Sequence, residues 1–255
     1  MVSFVGAGPG AADLITVRGA GLLAQADVVV YAGSLVNPEL LELCPEGCET
    51  HDSSQMTLPQ IVDVMAQAHR DGRRCVRLHT GDPSLFGAIR EQMDELDALG
   101  VPYEMVPGVS SLFGAAAALR AEYTVPGVSQ SLIVTRMEGR TPVPARERLR
   151  ELAGHGCTMA LFLSAGLLEG VQDELVRGGY DPSAPAAIVV RASWPDEAVY
   201  RCTVGTLARC GREHGVARSA LVLVGDVLGP GGDRSRLYDP SFSHGWRRAS
   251  AEPGE

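Results

Sequence analysis

Three short loops hold most of the residues in this chain that can do chemistry. The first is Gly6-Ala7-Gly8-Pro9-Gly10, trailed by Asp13-Leu14-Ile15-Thr16. The second is His79-Thr80-Gly81-Asp82-Pro83-Ser84, and the third is Pro107-Gly108-Val109-Ser110-Ser111. Each follows a short apolar run, as a turn at the carboxyl end of a strand does, and in open α/β sheets ligands bind at that rim. The glycines let the chain turn tightly and let a ligand approach the backbone. Pro83 fixes its own φ and pushes Asp82 into an extended conformation, so the carboxylate stands on a stiff turn. The same residues also read as plain strand-to-helix turns, with Asp82, Ser84 or the two serines capping the helices that follow.

Several chemistries are narrowed by residue type. All 22 basic residues are Arg, which removes Schiff-base and P-loop lysines. The six cysteines, Cys44, Cys48, Cys75, Cys157, Cys202 and Cys210, lack zinc-site spacing, so no metal centre is expected. Gly6-Ala7-Gly8-Pro9-Gly10-Ala11 formally matches the G-x-G-x-x-A fingerprint of an NAD(P)-dependent oxidoreductase. Against that reading, Pro9 intrudes before the helix, and the run 28–31 leads into Ala32-Gly33-Ser34 where a ribose-binding acid belongs. His79 beside the second loop is a candidate base, and equally a packed core histidine.

The totals bound the partners. A net charge of −9 and 5% aromatic residues argue against nucleic acid. No run approaches the roughly 20 apolar residues of a membrane helix. The opening residues read as a first strand without a leader pattern, so the expected location is the cytoplasm.

The elements that must hold these loops follow from periodicity. Strands are expected at 2–5, 28–31, 75–78 and 101–106, alternating with helices. Asp13 is placed to cap the first helix, and Asn37 with Pro38 opens a short one over 37–43. The polar stretch 49–55 reads as a solvated loop. Ile61, Val64, Met65 and Ala68 mark a helix ending at Gly72, and 84–99 reads as an amphipathic helix through Leu85, Ile89, Met93 and Leu96. Small residues dominate 111–118, so something packs closely there. After a linker over 123–131 the pattern restarts with strands at 132–135, 158–163, 186–191, 198–203 and 219–225, and helices at 146–153, 167–177 and 206–214. Ser193-Trp194-Pro195-Asp196 turns like a hairpin. Two α/β domains result, 1–122 with a mostly parallel sheet and 123–230 with a mixed one, followed by a loose tail over 231–255. A cleft between two such domains is a favoured place for a small ligand.

The combination of motifs is more specific than any one of them. Val5-Gly6-Ala7-Gly8-Pro9-Gly10 with Asp13-Leu14-Ile15-Thr16, then Leu78-His79-Thr80-Gly81-Asp82-Pro83-Ser84-Leu85-Phe86-Gly87, then Pro107-Gly108-Val109-Ser110-Ser111, resemble the three signatures of the tetrapyrrole (corrin/porphyrin) methylases. The resemblance covers about 1–229. Two further strings, Tyr31-Ala32-Gly33-Ser34-Leu35-Val36 and Thr135-Arg136-Met137-Glu138-Gly139-Arg140-Thr141-Pro142-Val143-Pro144, are similar to the members that act on precorrin-4 or its cobalt form. The resemblance implies a homodimer that binds S-adenosylmethionine in the cleft between the domains and methylates carbon 11 of a ring-modified tetrapyrrole. Uroporphyrinogen III, or methylation at another ring carbon, is the alternative within the family. It also implies cofactor contacts at Pro9, Thr80, Gly81, Asp82, Ser110 and Ser111, and in the second half at Phe162, Leu163, Ala165, Ala192 and Ala220. Many relatives have a second glycine where Thr80 stands. A substrate rich in carboxylates calls for bidentate Arg partners, and Arg136 and Arg140 are the candidates. Methyl transfer from a sulfonium asks chiefly for alignment, which suits a chain without a nucleophilic triad. A binding module that takes the cofactor without turning over a precorrin is the non-enzymatic rival.

Overall fold

The structure is a computed structural model, and it describes residues 1–33 and 35–250. Ser34, inside one of the strings above, and the tail residues 251–255 lie outside the described residues. By their contacts, Met1–Leu119, Val189–Val199 and Ser219–Leu221 gather into one unit. Arg120–Ile188, Tyr200–Arg218 and the described chain from Val222 gather into a second.

The first unit is built on five strands: β1 (Val2–Gly6), β2 (Val28–Tyr31), β3 (Glu49–Asp52), β4 (Cys75–His79) and β5 (Tyr103–Val106). They lie in the order β3-β2-β4-β1-β5, and every ladder is parallel. Both faces of β1, β2 and β4 are covered, so these strands read as largely apolar runs. Val2, Phe4, Val28 and Val30 pack with Ile61, Met65 and Leu96 on one side. Val5, Val29, Val76 and Leu78 pack with Leu23 and Leu40 on the other. Each such fully buried side chain contributes about 1.5–3 kcal/mol. The order matters for the loops. β4, β1 and β5 lie consecutively at one end of the sheet, with Gly6 paired to His79 and Val5 to Val106. Their carboxyl ends therefore deliver the three loops side by side.

The helices of this unit are α1 (Val17–Leu23), α2 (Leu58–Arg70), α3 (Arg90–Ala98) and α4 (Ser111–Leu119). Three local expectations change. Thr16, not Asp13, caps α1, its hydroxyl accepting from Gly19 N–H at 3.1 Å, while Asp13 sits in a 3-10 turn. The helix expected from residue 84 begins at Arg90, because Phe86 (φ 56°) and Ala88 (φ 49°) are left-handed and break it. The stretch 49–55, expected to be a solvated loop, enters the sheet as edge strand β3 before a 3-10 turn at Ser53–Gln55. Its side chains stay mostly exposed, so no alternation marks it.

The other sheet is mixed: β6 (Leu132–Arg136), β7 (Thr158–Phe162), β8 (Pro185–Val190), β9 (Ala198–Thr203) and β10 (Ala220–Val224), in the order β6-β7-β10-β8-β9. β6 and β7 run parallel, and β7 and β10 antiparallel. The helices α5 (Leu149–Ala153), α6 (Leu168–Arg177) and α7 (Leu207–Glu213) complete it. Among the described residues no helix is long and apolar enough to cross a membrane.

Candidate functional site

In the first unit the three loops meet backbone to backbone. Gly8 and Gly81 form a bridge, Gly81 N–H donating to the Gly8 carbonyl at 2.8 Å and Gly8 N–H returning to Gly81 at 3.3 Å. Ala7 N–H donates to the His79 carbonyl at 2.7 Å. The approach to the third loop is closer still: a Cβ on Gly108 would stand 2.2 Å from the Gly81 carbonyl oxygen and 2.7 Å from Gly6 Cα. Only glycine fits there. Gly81 itself adopts φ 62° and faces Ser110 Cα, 3.6 Å from where its own Cβ would be.

Asp82 fastens this assembly. Its Oδ1 accepts from Ser84 N–H at 2.9 Å and from the Ser84 hydroxyl, and its Oδ2 accepts from Gly108 N–H at 2.9 Å. Burial alone raises its pKa, and the hydrogen bonds from Ser84 and Gly108 outweigh that, so the carboxyl sits below its ordinary value. Ser110 is buried, its hydroxyl accepting from Leu112 N–H at 3.2 Å at the start of α4. Ser111 is half-buried and Thr80 exposed. Pro9 is buried, and a Cβ on Gly114 of α4 would meet Pro9 at 3.0 Å and Ala192 at 3.3 Å. Ala192 thus joins the first loop and the α4 helix. Ala220 follows Ser219, whose carbonyl accepts from Arg191 N–H at 2.8 Å, next to Ala192 in the chain. Pro9, Thr80, Gly81, Asp82, Ser110, Ser111, Ala192 and Ala220 all belong to this unit.

Phe162 ends β7 in the second unit, and Leu163 and Ala165 follow it. Leu163 is 70% exposed and left-handed at φ 52°. Ser164 beside it is fully buried, donating to the Phe162 carbonyl at 2.7 Å and accepting from Met137 N–H at 2.9 Å. Met137 and Ala165 line an open groove of about 600 Å³ with Leu168, Glu169, Gly211 and Arg212. Arg136 reaches into its own loop, donating to the carbonyls of Met137 at 3.3 Å, Thr141 at 3.2 Å and Pro142 at 2.8 Å. Arg140 is exposed.

His79 is buried and stacked on Phe4 at 5.9 Å. Burial, then the nearby Arg77 guanidinium, push its pKa down to about 3, so the ring is neutral near pH 7 and a weak proton acceptor. Its Nε2 has no hydrogen-bond partner among the described residues. No group of three or more His, Cys, Asp or Glu able to hold a metal occurs among the described residues.

Three contributors escape the motif reading. Asn37, taken as a cap, also donates from Nδ2 to the Gly10 carbonyl at 3.0 Å. Ser193 accepts from Ala11 N–H at 3.0 Å, and Trp194 donates from Nε1 to the Pro9 carbonyl at 3.1 Å. A large aromatic in a turn, in a chain with 2 tryptophans, is the one signal that pointed to the last.

The arrangement selects among ligands. Loops 6–11, 80–87 and 107–112 contain no basic residue, and Asp82 is their one formal charge. That suits a ligand bearing positive charge and supplies no basic side chain to a pyrophosphate. The space beside Gly10, an intervening position of the dinucleotide fingerprint, is filled: a Cβ there would lie 2.2 Å from the Trp194 ring. The first α-helix starts only at Val17 after an intervening 3-10 turn, so no helix N-terminus meets the loop.

Comparisons with known proteins agree with this geometry. The family model of the Tetrapyrrole (Corrin/Porphyrin) Methylases matches residues 1–208. A cobalt-precorrin-4 C(11)-methyltransferase of Methanocaldococcus jannaschii is 49% identical over 249 residues, covering 97% of this chain and 96% of the relative. The X-ray structure of a cobalt precorrin-4 methyltransferase superposes with a TM-score of 0.88 at 47% identity, over 90% of this chain and 96% of that one. A uroporphyrin-III C-methyltransferase of Thermus thermophilus, complexed with S-adenosylhomocysteine, superposes with a TM-score of 0.76 at 31% identity, over 89% and 98%.

Proposed function

This chain belongs to the tetrapyrrole (corrin/porphyrin) methylases, and from that membership we propose that it transfers a methyl group from S-adenosylmethionine to carbon 11 of precorrin-4 or cobalt-precorrin-4, a step of corrin ring synthesis. The observation that carries the assignment is the gap in similarity: near-full-length identity of 49% to a C(11)-methyltransferase, against 31% to a uroporphyrin-III enzyme.

When bound, S-adenosylmethionine supplies a methyl group on a sulfonium, which passes to the substrate carbon and leaves S-adenosylhomocysteine. The chain's own residues have to bind and orient. We assign Pro9, Thr80, Gly81, Asp82, Ser110, Ser111, Ala192 and Ala220 to the cofactor's surroundings, with Phe162, Leu163 and Ala165 contributed by the second unit. Asp82 acts mainly by fixing the relative position of the second and third loops, and its negative charge favours a cationic ligand near them. Backbone groups and the hydroxyls of Thr80 and Ser111 supply neutral polar contacts. No proton acceptor with a pKa near neutrality is built into the three loops, which fits catalysis by alignment. Arg140 is assigned to a substrate carboxylate, and Arg136 to holding the loop that presents it. The working form is a homodimer in the cytoplasm, with domains at 1–122 and 123–230 and a tail beyond.

The deciding experiment supplies methyl-labelled S-adenosylmethionine with precorrin-4 and its cobalt form, and locates the label. Label at carbon 11 is the expected result. Label at another ring carbon moves the protein to a neighbouring step, and tight NADH binding without affinity for S-adenosylhomocysteine removes the reading.

A further inference from the structure

The segment Val189–Val199 groups with the parallel sheet by its contacts, and its turn closes on the glycine-rich loop. Side chains hold two successive peptide groups there, through three hydrogen bonds. Trp194 donates to the Pro9 carbonyl at 3.1 Å, Asn37 donates to the Gly10 carbonyl at 3.0 Å, and Ala11 N–H donates to Ser193 at 3.0 Å. The indole also fills the space beside Gly10, where a Cβ would stand 2.2 Å from the ring.

The turn is braced in its own right. The Arg191 guanidinium lies over the Trp194 ring, 4.1 Å from its centroid, and pairs with Asp196 at 2.6 Å. Ser193 N–H donates to Glu197 Oε2 at 2.6 Å. Arg191 and Ser193 are left-handed, with φ 48° and 66°, a conformation that such residues keep only where their surroundings impose it. Ala192 stands between them and packs near Pro9 and Gly114. A cation on the ring, two carboxylates and two strained residues are more than filling a gap requires. They fix one ring in one orientation against one loop.

We propose that Trp194 is a positioning residue for the cofactor: its indole latches Pro9 and Gly10 into the shape that receives S-adenosylmethionine, and Ser193 completes the latch at Ala11. The inference rests on the cofactor reading given under Proposed function. An interaction made equally before and during methyl transfer changes affinity and leaves kcat alone, so the latch acts on cofactor Kd and KM.

The test uses the full chain. Trp246, the other tryptophan, is 97% exposed, and W246F leaves Trp194 as the sole indole reporter. Its emission is expected to change on titration with S-adenosylhomocysteine and to saturate with the calorimetric Kd. W194F keeps a ring and deletes the N–H donor. It is expected to raise that Kd, and KM for S-adenosylmethionine, by about five- to tenfold, the factor of one ordinary hydrogen bond. The kcat and the tetrapyrrole KM stay at wild-type values. S193A leaves the ring intact and is expected to raise the same Kd by about two- to fivefold. It keeps the test decisive if W194F folds poorly. Wild-type cofactor affinity in W194F, or in S193A where W194F is unfolded, overturns the latch and leaves the cofactor reading standing. A wild-type protein that does not bind S-adenosylhomocysteine overturns that reading and the latch with it.

Discussion

The Asp82 carboxylate is joined to the backbone amide of Gly108, Oδ2 to N at 2.9 Å, and this one contact ties the turn after β4 to the turn after β5. The two strands are not neighbours: β1 lies between them. Asp82 therefore spans the width of a strand, above a point where Gly6 and Gly108 leave no room for a side chain.

Asp82→Ala removes acceptors for Ser84 and Gly108 together. Hydrogen bonds to a charged group contribute about 1.5–3 kcal/mol each, part of which water restores at this half-exposed site. A loss of about 2 kcal/mol is expected, lowering Tm by about 4–8 °C. Affinity for S-adenosylhomocysteine should fall at least about tenfold, as the loops separate. Calorimetry that finds wild-type affinity would remove Asp82 from the cofactor site.

The same residue sets a pH dependence. Its folded pKa is lowered by the bonds from Ser84 and Gly108 after burial has raised it. The stabilisation is complete above the ordinary carboxylate value near 3.8 and is lost as pH falls through the lower folded value. Comparing wild type with Asp82→Asn by urea unfolding from pH 6 down to about 3 should show the difference between them shrinking at the acid end. A constant difference would mean that the carboxylate's charge contributes nothing.

Gly108→Ala tests the convergence of the loops. Its Cβ would stand 2.2 Å from a carbonyl oxygen and 2.7 Å from Gly6 Cα, both backbone atoms, so the loops must part. A cost of about 1–3 kcal/mol is expected, with loss of cofactor binding. Gly21→Ala is the control. It lies in α1 with no atom within 4 Å of the new Cβ, and should stabilise by about 0.5–1 kcal/mol. Equal effects from the two would show that close approach is not what requires Gly108.

These loops were legible in the sequence because each concentrates glycine, proline and serine at the end of an apolar run, a pattern few other structures need. The alternation of strands and helices was legible for the same periodic reason. Edge strand β3 was hidden because three of its four side chains, Glu49, Thr50 and Asp52, face solvent and only its backbone pairs with β2. The late start of α3 depends on left-handed Phe86 and Ala88, residue types that do not advertise such a turn. Trp194 was hidden for another reason: its partner Pro9 lies 185 residues away, and no local pattern encodes a pairing at that distance.

His79 gives a prediction with a sign opposite to that of a catalytic base. Burial and Arg77 lower its pKa from 6.5 to about 3. The unfolded chain then binds the extra proton between those values, so stability rises with pH across that window. A pH–rate profile should show no limb belonging to His79 near pH 6.5. His79→Phe, which can stack on Phe4, should flatten the acid side of the stability profile. A retained acid dependence in that variant would take His79 out of the stability profile, and a rate limb that shifts with the substitution would restore it as a catalytic base.

Arg136 and Arg140 lie four residues apart and are expected to fail in different ways. The Arg136 guanidinium caps the carbonyls of Met137, Thr141 and Pro142, so Arg136→Ala removes a donor from each, Thr141 keeping its bond from Gly139 N–H. Those groups lie near solvent, and water replaces part of the loss, so about 1 kcal/mol of stability is expected to go. The loop carrying Arg140 loosens with it. Arg136→Lys restores one charge without the planar fork and should recover only part of the effect. Arg140 is exposed, and no loop contact depends on it. Arg140→Ala should keep Tm and cofactor Kd, and raise only the tetrapyrrole KM, by about three- to tenfold. Because an exposed pair is screened, that ratio should shrink as salt is raised from about 0.05 to 0.5 M. A tetrapyrrole KM unchanged in Arg140→Ala, with KM raised in Arg136→Ala, would place the recognition in the loop's shape and not in its outer arginine.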